Sequence, residues 1–218
     1  VHLGTSKPLL AIPLLQAAAK DPGVRIQALS QLGNAYLRSG QRAKCIGVYE
    51  TALQEDENAD DVRLSLANVL KEILNWDDSL KQLKILQDHS FRPGIVHYMA
   101  ADIYSEMDQF SEAATEYEAA LRADPTDATN SRKALGLIRC RIKSGDLKGL
   151  EEFLPLVDSE GLQNSILAME LAEKNNTEEA LAAVDHVLQE DPGHVIAIQI
   201  YGQVVVKTGA KEKAVETL

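Results

Sequence analysis

Gly94 to Asp127 reads GIVHYMAADIYSEMDQFSEAATEYEAALRADPTD, and this 34-residue stretch decides the architecture. Small and apolar residues recur in it at three- and four-residue spacing, in two runs parted by Asp108-Gln109 and closed by Asp124-Pro125. That is the pattern of two amphipathic helices joined by a short turn. Proline cannot continue a helix but suits the first turn of the next, so Asp124-Pro125 ends the pair. Stepping back by 34 from Ala101 reaches Ala67 and then Gly33, and each small residue stands three places before a bulky one: Tyr104, Leu70 and Tyr36. A period of this length in helical sequence specifies a stack of helical hairpins, each burying its apolar face against the next.

The rest of the chain agrees. Of its 218 residues 45% are hydrophobic but only 5% aromatic, which favours helices packed through small contacts over sheets. A formal net charge of -11 repels phosphate backbones and anionic membranes, so nucleic acid is not an expected partner. No apolar run approaches the roughly 20 residues that span a bilayer, so membrane insertion is not expected either. Cys45 and Cys140 have no metal-type spacing and no disulfide framework, and read as buried small hydrophobes. The five histidines form no metal-spaced pair and there is no glycine-rich phosphate loop, so no catalytic residue, metal or cofactor is expected. Val1 is not an initiator methionine. The stretch therefore reads as a processed or excised piece with room outside it for a targeting signal or further domain, and a cytoplasmic setting is favoured.

Three segments carry a family resemblance. Ile26 to Ala59 has Leu29, Leu32-Gly33, Tyr36, Cys45, Tyr49 and Ala52; the next has Leu66-Ala67, Leu70, Trp76, Ser79, Leu83 and Leu86. Gly94 to Asp127 matches most tightly, with Ala101, Tyr104, Phe110, Ala113, Tyr117, Ala120 and Pro125. Together they resemble the tetratricopeptide repeat family. The resemblance implies an all-α fold, a right-handed superhelical solenoid of antiparallel helix pairs with about six units plus partial ends. Residues 1–218 then form one array, with units at roughly 7–25 (partial), 26–59, 60–93, 94–127, 128–160 (irregular), 161–194 and 195–218 (truncated). Past Ala101 the register is expected to run through Ile138, Ala168 and Gly202, with Gly33 and Gly202 as packing glycines and a break near Pro155. Pentatricopeptide arrays share the period but bind RNA and are usually basic, and this chain is acidic.

In the resembled fold the first helix of each unit lines a concave groove, which implies a non-enzymatic scaffold that holds a partner peptide or protein segment. Helical spacing places Asn34, Asn68, Tyr98, Asp102, Arg132, Arg139 and Lys143 on that face, together with Gln27, Ser30, Asp61, Ile142, Ser165 and Met169. Asn34 and Asn68 share a register in adjacent units, where their amides suit an extended backbone, the alternative being ordinary solvated positions. Arg132, Lys133, Arg139, Arg141, Lys143 and Lys148 form a basic segment within an acidic chain. Arg132, Arg139 and Lys143 share one helical face that suits an acidic or phosphorylated peptide. Neutralisation by nearby acids such as Glu112, Glu116 and Glu118 is the alternative. The carboxylate clamp of chaperone-binding members is not matched: Asn34 fits one position, but Ser30, Ile95 and Met99 stand where its cations belong. Two further roles stay open: self-association through the apolar helix 195–208, and a helper domain for an enzyme encoded elsewhere in a longer chain.

Overall fold

The computed structural model describes residues 8–146, 149–157, 160–173 and 176–209. Among them the regular structure is helical: α1 (Pro8–Ala18), α2 (Arg25–Arg38), α3 (Arg42–Glu55), α4 (Asp60–Glu72), α5 (Trp76–Asp88), α6 (Pro93–Glu106), α7 (Phe110–Ala123), α8 (Asn130–Ser144), α9 (Glu160–Glu173), α10 (Thr177–Glu190) and α11 (Val195–Thr208). Two short 3-10 turns, Leu150–Glu152 and Leu154–Leu156, stand between α8 and α9. Pro155 lies in the second, so the break expected near it is a replacement of α-helix by tighter turns. No described helix is long and apolar enough to cross a membrane. Lys148, Ile196 as a side chain, and 211–218 lie outside the described residues.

The contacts divide the chain into two compact units, Val1–Met107 and Asp108–Leu218. In the first, each helix from α1 to α6 packs on the next, and α4 also touches α6. One core joins Leu29, Leu32 and Tyr36 of α2 to Cys45 and Tyr49 of α3 and to Leu66 and Leu70 of α4. A second joins Leu83 and Leu86 of α5 to Val96, Met99 and Ile103 of α6. In the second unit α7 packs on α8, while α9, α10 and α11 pack on one another.

Close approach explains the small residues. A Cβ at Gly33 would stand 2.1 Å from the ring of Tyr49, which is wholly buried. Tyr117 repeats this in the second unit against Gly136, where a Cβ would stand 2.5 Å from the ring. The glycine that continues the packing device is thus Gly136, two residues before Ile138. Gly202, expected to pack, is exposed, and among the described residues nothing lies within 4 Å of the place its Cβ would take, so it packs on none of them. Cys45 and Cys140 are buried and form no disulfide.

Turns repeat as strictly as cores. Gly40, Leu74 and Asp108 stand 34 residues apart and all have positive φ, at 76°, 62° and 58°. At Gly40 the helix end is closed by two backbone bonds, Gln41 N–H to the Tyr36 carbonyl and Gly40 N–H to the Leu37 carbonyl. Asn75 to Leu70 and Leu74 to Lys71 reproduce them. This closing motif needs a left-handed residue, which glycine adopts without penalty and leucine does not.

Candidate functional site

In the first unit the face carried by α2 and α4 opens into a cleft of about 660 Å3. It lies at the starts of the two helices, among Ile26, Gln27, Ser30, Asp61 and Val62, with Phe91 from the loop before α6. Gln27, Ser30 and Asp61 are positions that spacing assigns to the groove. Arg92 pairs with Asp61 at 3.0 Å, and His89 Nδ1 lies 2.8 Å from Asp60, so charges at this end are already engaged. Asn34 and Asn68 are both exposed, one and two turns further along their helices. Asn34 accepts a hydrogen bond from the Tyr49 hydroxyl at 2.9 Å, which fixes its amide, and the Asn68 amide donates to Glu72 at 3.3 Å.

Two more predicted residues of this unit are at least half-buried and engaged. Asp102 accepts from the Lys71 ammonium at 2.7 Å, a bridge between α4 and α6 that consumes its charge locally. Tyr98 on α6 is partly buried and also makes contacts. Sequence spacing assigns Asp102 to the groove face but does not show that its carboxylate is spent, since Lys71 is 31 residues away.

In the second unit the basic segment of α8 separates into bound and unbound cations. Lys133 is buried, with its ammonium 2.7 Å from Asp127 and 3.2 Å from the Asn130 carbonyl oxygen. That hydrogen bond, with two further bonds from Thr129, holds the Asp127 carboxyl down to about 2. Arg141 bridges Glu118 at 2.5 Å and Asp146 at 3.3 Å. Lys143 is exposed, but its ammonium sits 4.3 Å above the Phe110 ring of α7, a cation–π contact. Arg132 and Arg139 are exposed, and among the described residues neither has a hydrogen-bond or ion-pair partner for its guanidinium. They stand two turns apart on one face of α8, about 10 Å along the axis.

Three further residues that spacing placed on the groove face are buried: Ile142, Ser165 and Met169. The helical period locates a face only relative to its neighbours, and α8 and α9 turn these positions into their own packing interfaces. Of α11, Ile200, Val204 and Val205 are buried while Ile198 and Val206 remain exposed, at 40% and 77%. No cluster of three or more potential metal ligands occurs among the described residues.

A model of the tetratricopeptide repeat-like domain matches residues 51–142, and one of the tetratricopeptide repeat matches residues 26–59. Among solved structures, a tetratricopeptide repeat protein from Parabacteroides merdae shares 16% identity at a TM-score of 0.62, covering 99% of this chain and 86% of that one. MamA from Desulfovibrio magneticus shares 17% at 0.58, covering 75% and 85%. YrrB, described as a TPR protein with an unusual peptide-binding site, shares 22% at 0.53, covering 78% and 88%. At these identities the likeness shows the fold. No curated protein matches the chain.

Proposed function

The chain belongs to the tetratricopeptide repeat family, and from that premise we propose that it is a non-catalytic scaffold holding an anionic segment of a partner protein on its first helices. The observation that carries this is the pair Arg132 and Arg139. The other arginines of the chain are engaged, for example Arg25 with Glu55, Arg63 with Gln82 and Arg122 with Glu118. Two exposed guanidiniums left over on one helical face are donors for a carboxylate or phosphate, and their planar fork favours bidentate pairing. The net charge of -11 opposes an acidic ligand at long range. Salt screens that repulsion beyond about 10 Å, while the direct pairs act within contact distance. In the first unit the cleft beside Gln27, Ser30 and Asp61 and the exposed amides of Asn34 and Asn68 supply polar groups for an extended backbone.

Titration with a fluorescent acidic peptide, against a basic peptide of equal length, tests the assignment. The acidic peptide should bind, and Arg132→Glu with Arg139→Glu should weaken it by about two orders of magnitude, the loss of two charge-assisted contacts. Equal binding by the double variant would overturn the anionic-ligand reading. A second reading, self-association through α11, is favoured by the exposed Ile198 and Val206 on a helix whose Ile200, Val204 and Val205 are buried.

A further inference from the structure

A second cleft, also of about 660 Å3, opens on the other side of α4, between α3 and α5. Its walls include Ile46, Glu50 and Leu53 of α3 and Gln82 of α5, and its floor is Leu66 and Leu70 of α4. Leu66 and Leu70 point roughly half a turn of the helix away from Asn68, so this cleft is separate from the surface proposed above.

The chain itself shows what fills such a space. One period earlier, α1 and α3 flank α2 in the same way, and the residue at the place of Leu70 is Tyr36. The Tyr36 ring is buried there, its hydroxyl accepts a hydrogen bond from the Gln16 amide at 3.0 Å, and Lys44 lies 5.6 Å from its ring centre. Tyr104 occupies that place one period later. Leu70 thus removes an aromatic ring from a position built for one. Glu50 stands exactly one period after Gln16. It is exposed, and its carboxylate has no partner among the described residues. The rim adds an independent observation. Ile73, which lines the cleft, is 40% exposed, and Leu74 beside it is 69% exposed at a φ of 62°, where the preceding unit has Ser39 and Gly40. The backbone of Leu74 serves the fold by closing α4, but its solvent-facing side chain, next to the cleft residue Ile73, joins neither core cluster.

We propose that the cleft between α3 and α5 is a second docking surface that receives a tyrosine side chain from a segment of a partner protein. The ring replaces the one missing at Leu70 and packs on Leu53, Leu66 and Ile73, while its hydroxyl donates to Glu50. Leu74 extends the apolar rim to the residues flanking that tyrosine. The volume lies within the range of sites that take small organic groups.

The 218-residue chain should be titrated with N-acetyl-tyrosinamide and, separately, N-acetyl-phenylalaninamide, following backbone amide resonances. Saturable shifts are expected at Leu53, Leu70 and Ile73, with the phenylalanine probe about fivefold weaker for want of one hydrogen bond. Leu70→Tyr fills the space from within, as Tyr36 does, and should abolish the shifts in a chain with unchanged helical circular dichroism. Glu50→Ala should erase the difference between the probes, which serves as the deciding variant if Leu70→Tyr does not fold. Arg132→Glu with Arg139→Glu should leave both titrations unchanged, which separates this surface from the anionic one. Shifts that map elsewhere, absence of saturable shifts, undiminished binding by folded Leu70→Tyr, or a probe difference that survives Glu50→Ala would each overturn the proposal.

Discussion

Gly33 and Tyr49 show at the scale of single residues how this fold is held. The helices approach until only a hydrogen fits beneath the tyrosine ring, and the ring cannot swing aside because it is fully buried. Gly33→Ala should therefore destabilise the chain by about 1 to 3 kcal/mol through overpacking, read as a lower urea midpoint. Gly202→Ala is the control: with nothing among the described residues close to it, the change should be neutral or slightly stabilising, since alanine suits a helix interior better than glycine. Burial, reinforced by the adjacent Cys45, pushes the Tyr49 phenol well above its ordinary range, so the hydroxyl stays a donor to Asn34. The small-then-aromatic spacing makes this contact legible in sequence. The hydrogen bond that ties a predicted groove residue to it is not legible there, because it depends on where the ring ends.

At the scale of elements, the approach to α8 is the clearest case. Asp127 accepts from the Thr129 backbone and hydroxyl and from Lys133, and the Asn130 amide donates to the Asp124 carbonyl at 2.8 Å. This turn lets a lysine enter a buried position at the start of a helix whose N-cap side chain makes no capping bond to the first turn. The carboxyl of Asp127 is depressed from 3.8 to about 2, so the stability it contributes is full above the ordinary value and is lost as pH falls toward 2. Asp127→Asn should remove that acid-side dependence and lower the urea midpoint at neutral pH, because the buried Lys133 ammonium loses its counter-charge. An unchanged midpoint at both pH values would show that Lys133 is satisfied without it. Sequence reading placed Lys133 and Arg141 in the basic segment without naming their partners. Their partners, Asp127 and Glu118, become neighbours only when α7, its turn and α8 pack together.

At the scale of the whole molecule, a repeat chain differs from a globular one in having surfaces that its own core does not close. On α11 Ile198 and Val206 are the exposed apolar side chains that bear on this. If they mediate self-association, light scattering should show apparent mass rising with concentration, and Val206→Lys should hold the mass at one chain of 23.8 kDa. A constant mass for the parent chain would remove that role. The acidity of the molecule works against close association at low salt, so the effect should strengthen as salt screens the net charge.

The 34-residue recurrence alone determined the helical hairpins, their turns, the close contact at Gly33 and the family, because each depends on residues close in sequence or one period apart, whereas Gly136 and Gly202 depart from it. Tertiary structure decided which polar groups remain available. Asp102, Lys133 and Arg141 are spent on partners across helix boundaries, while Arg132 and Arg139 have no polar partner among the described residues. It also decided that Leu70, besides joining the core of the first unit, forms part of the floor of the cleft between α3 and α5. A period specifies which positions are equivalent, but whether an equivalent position is filled, paired or empty depends on side chains that meet only in three dimensions.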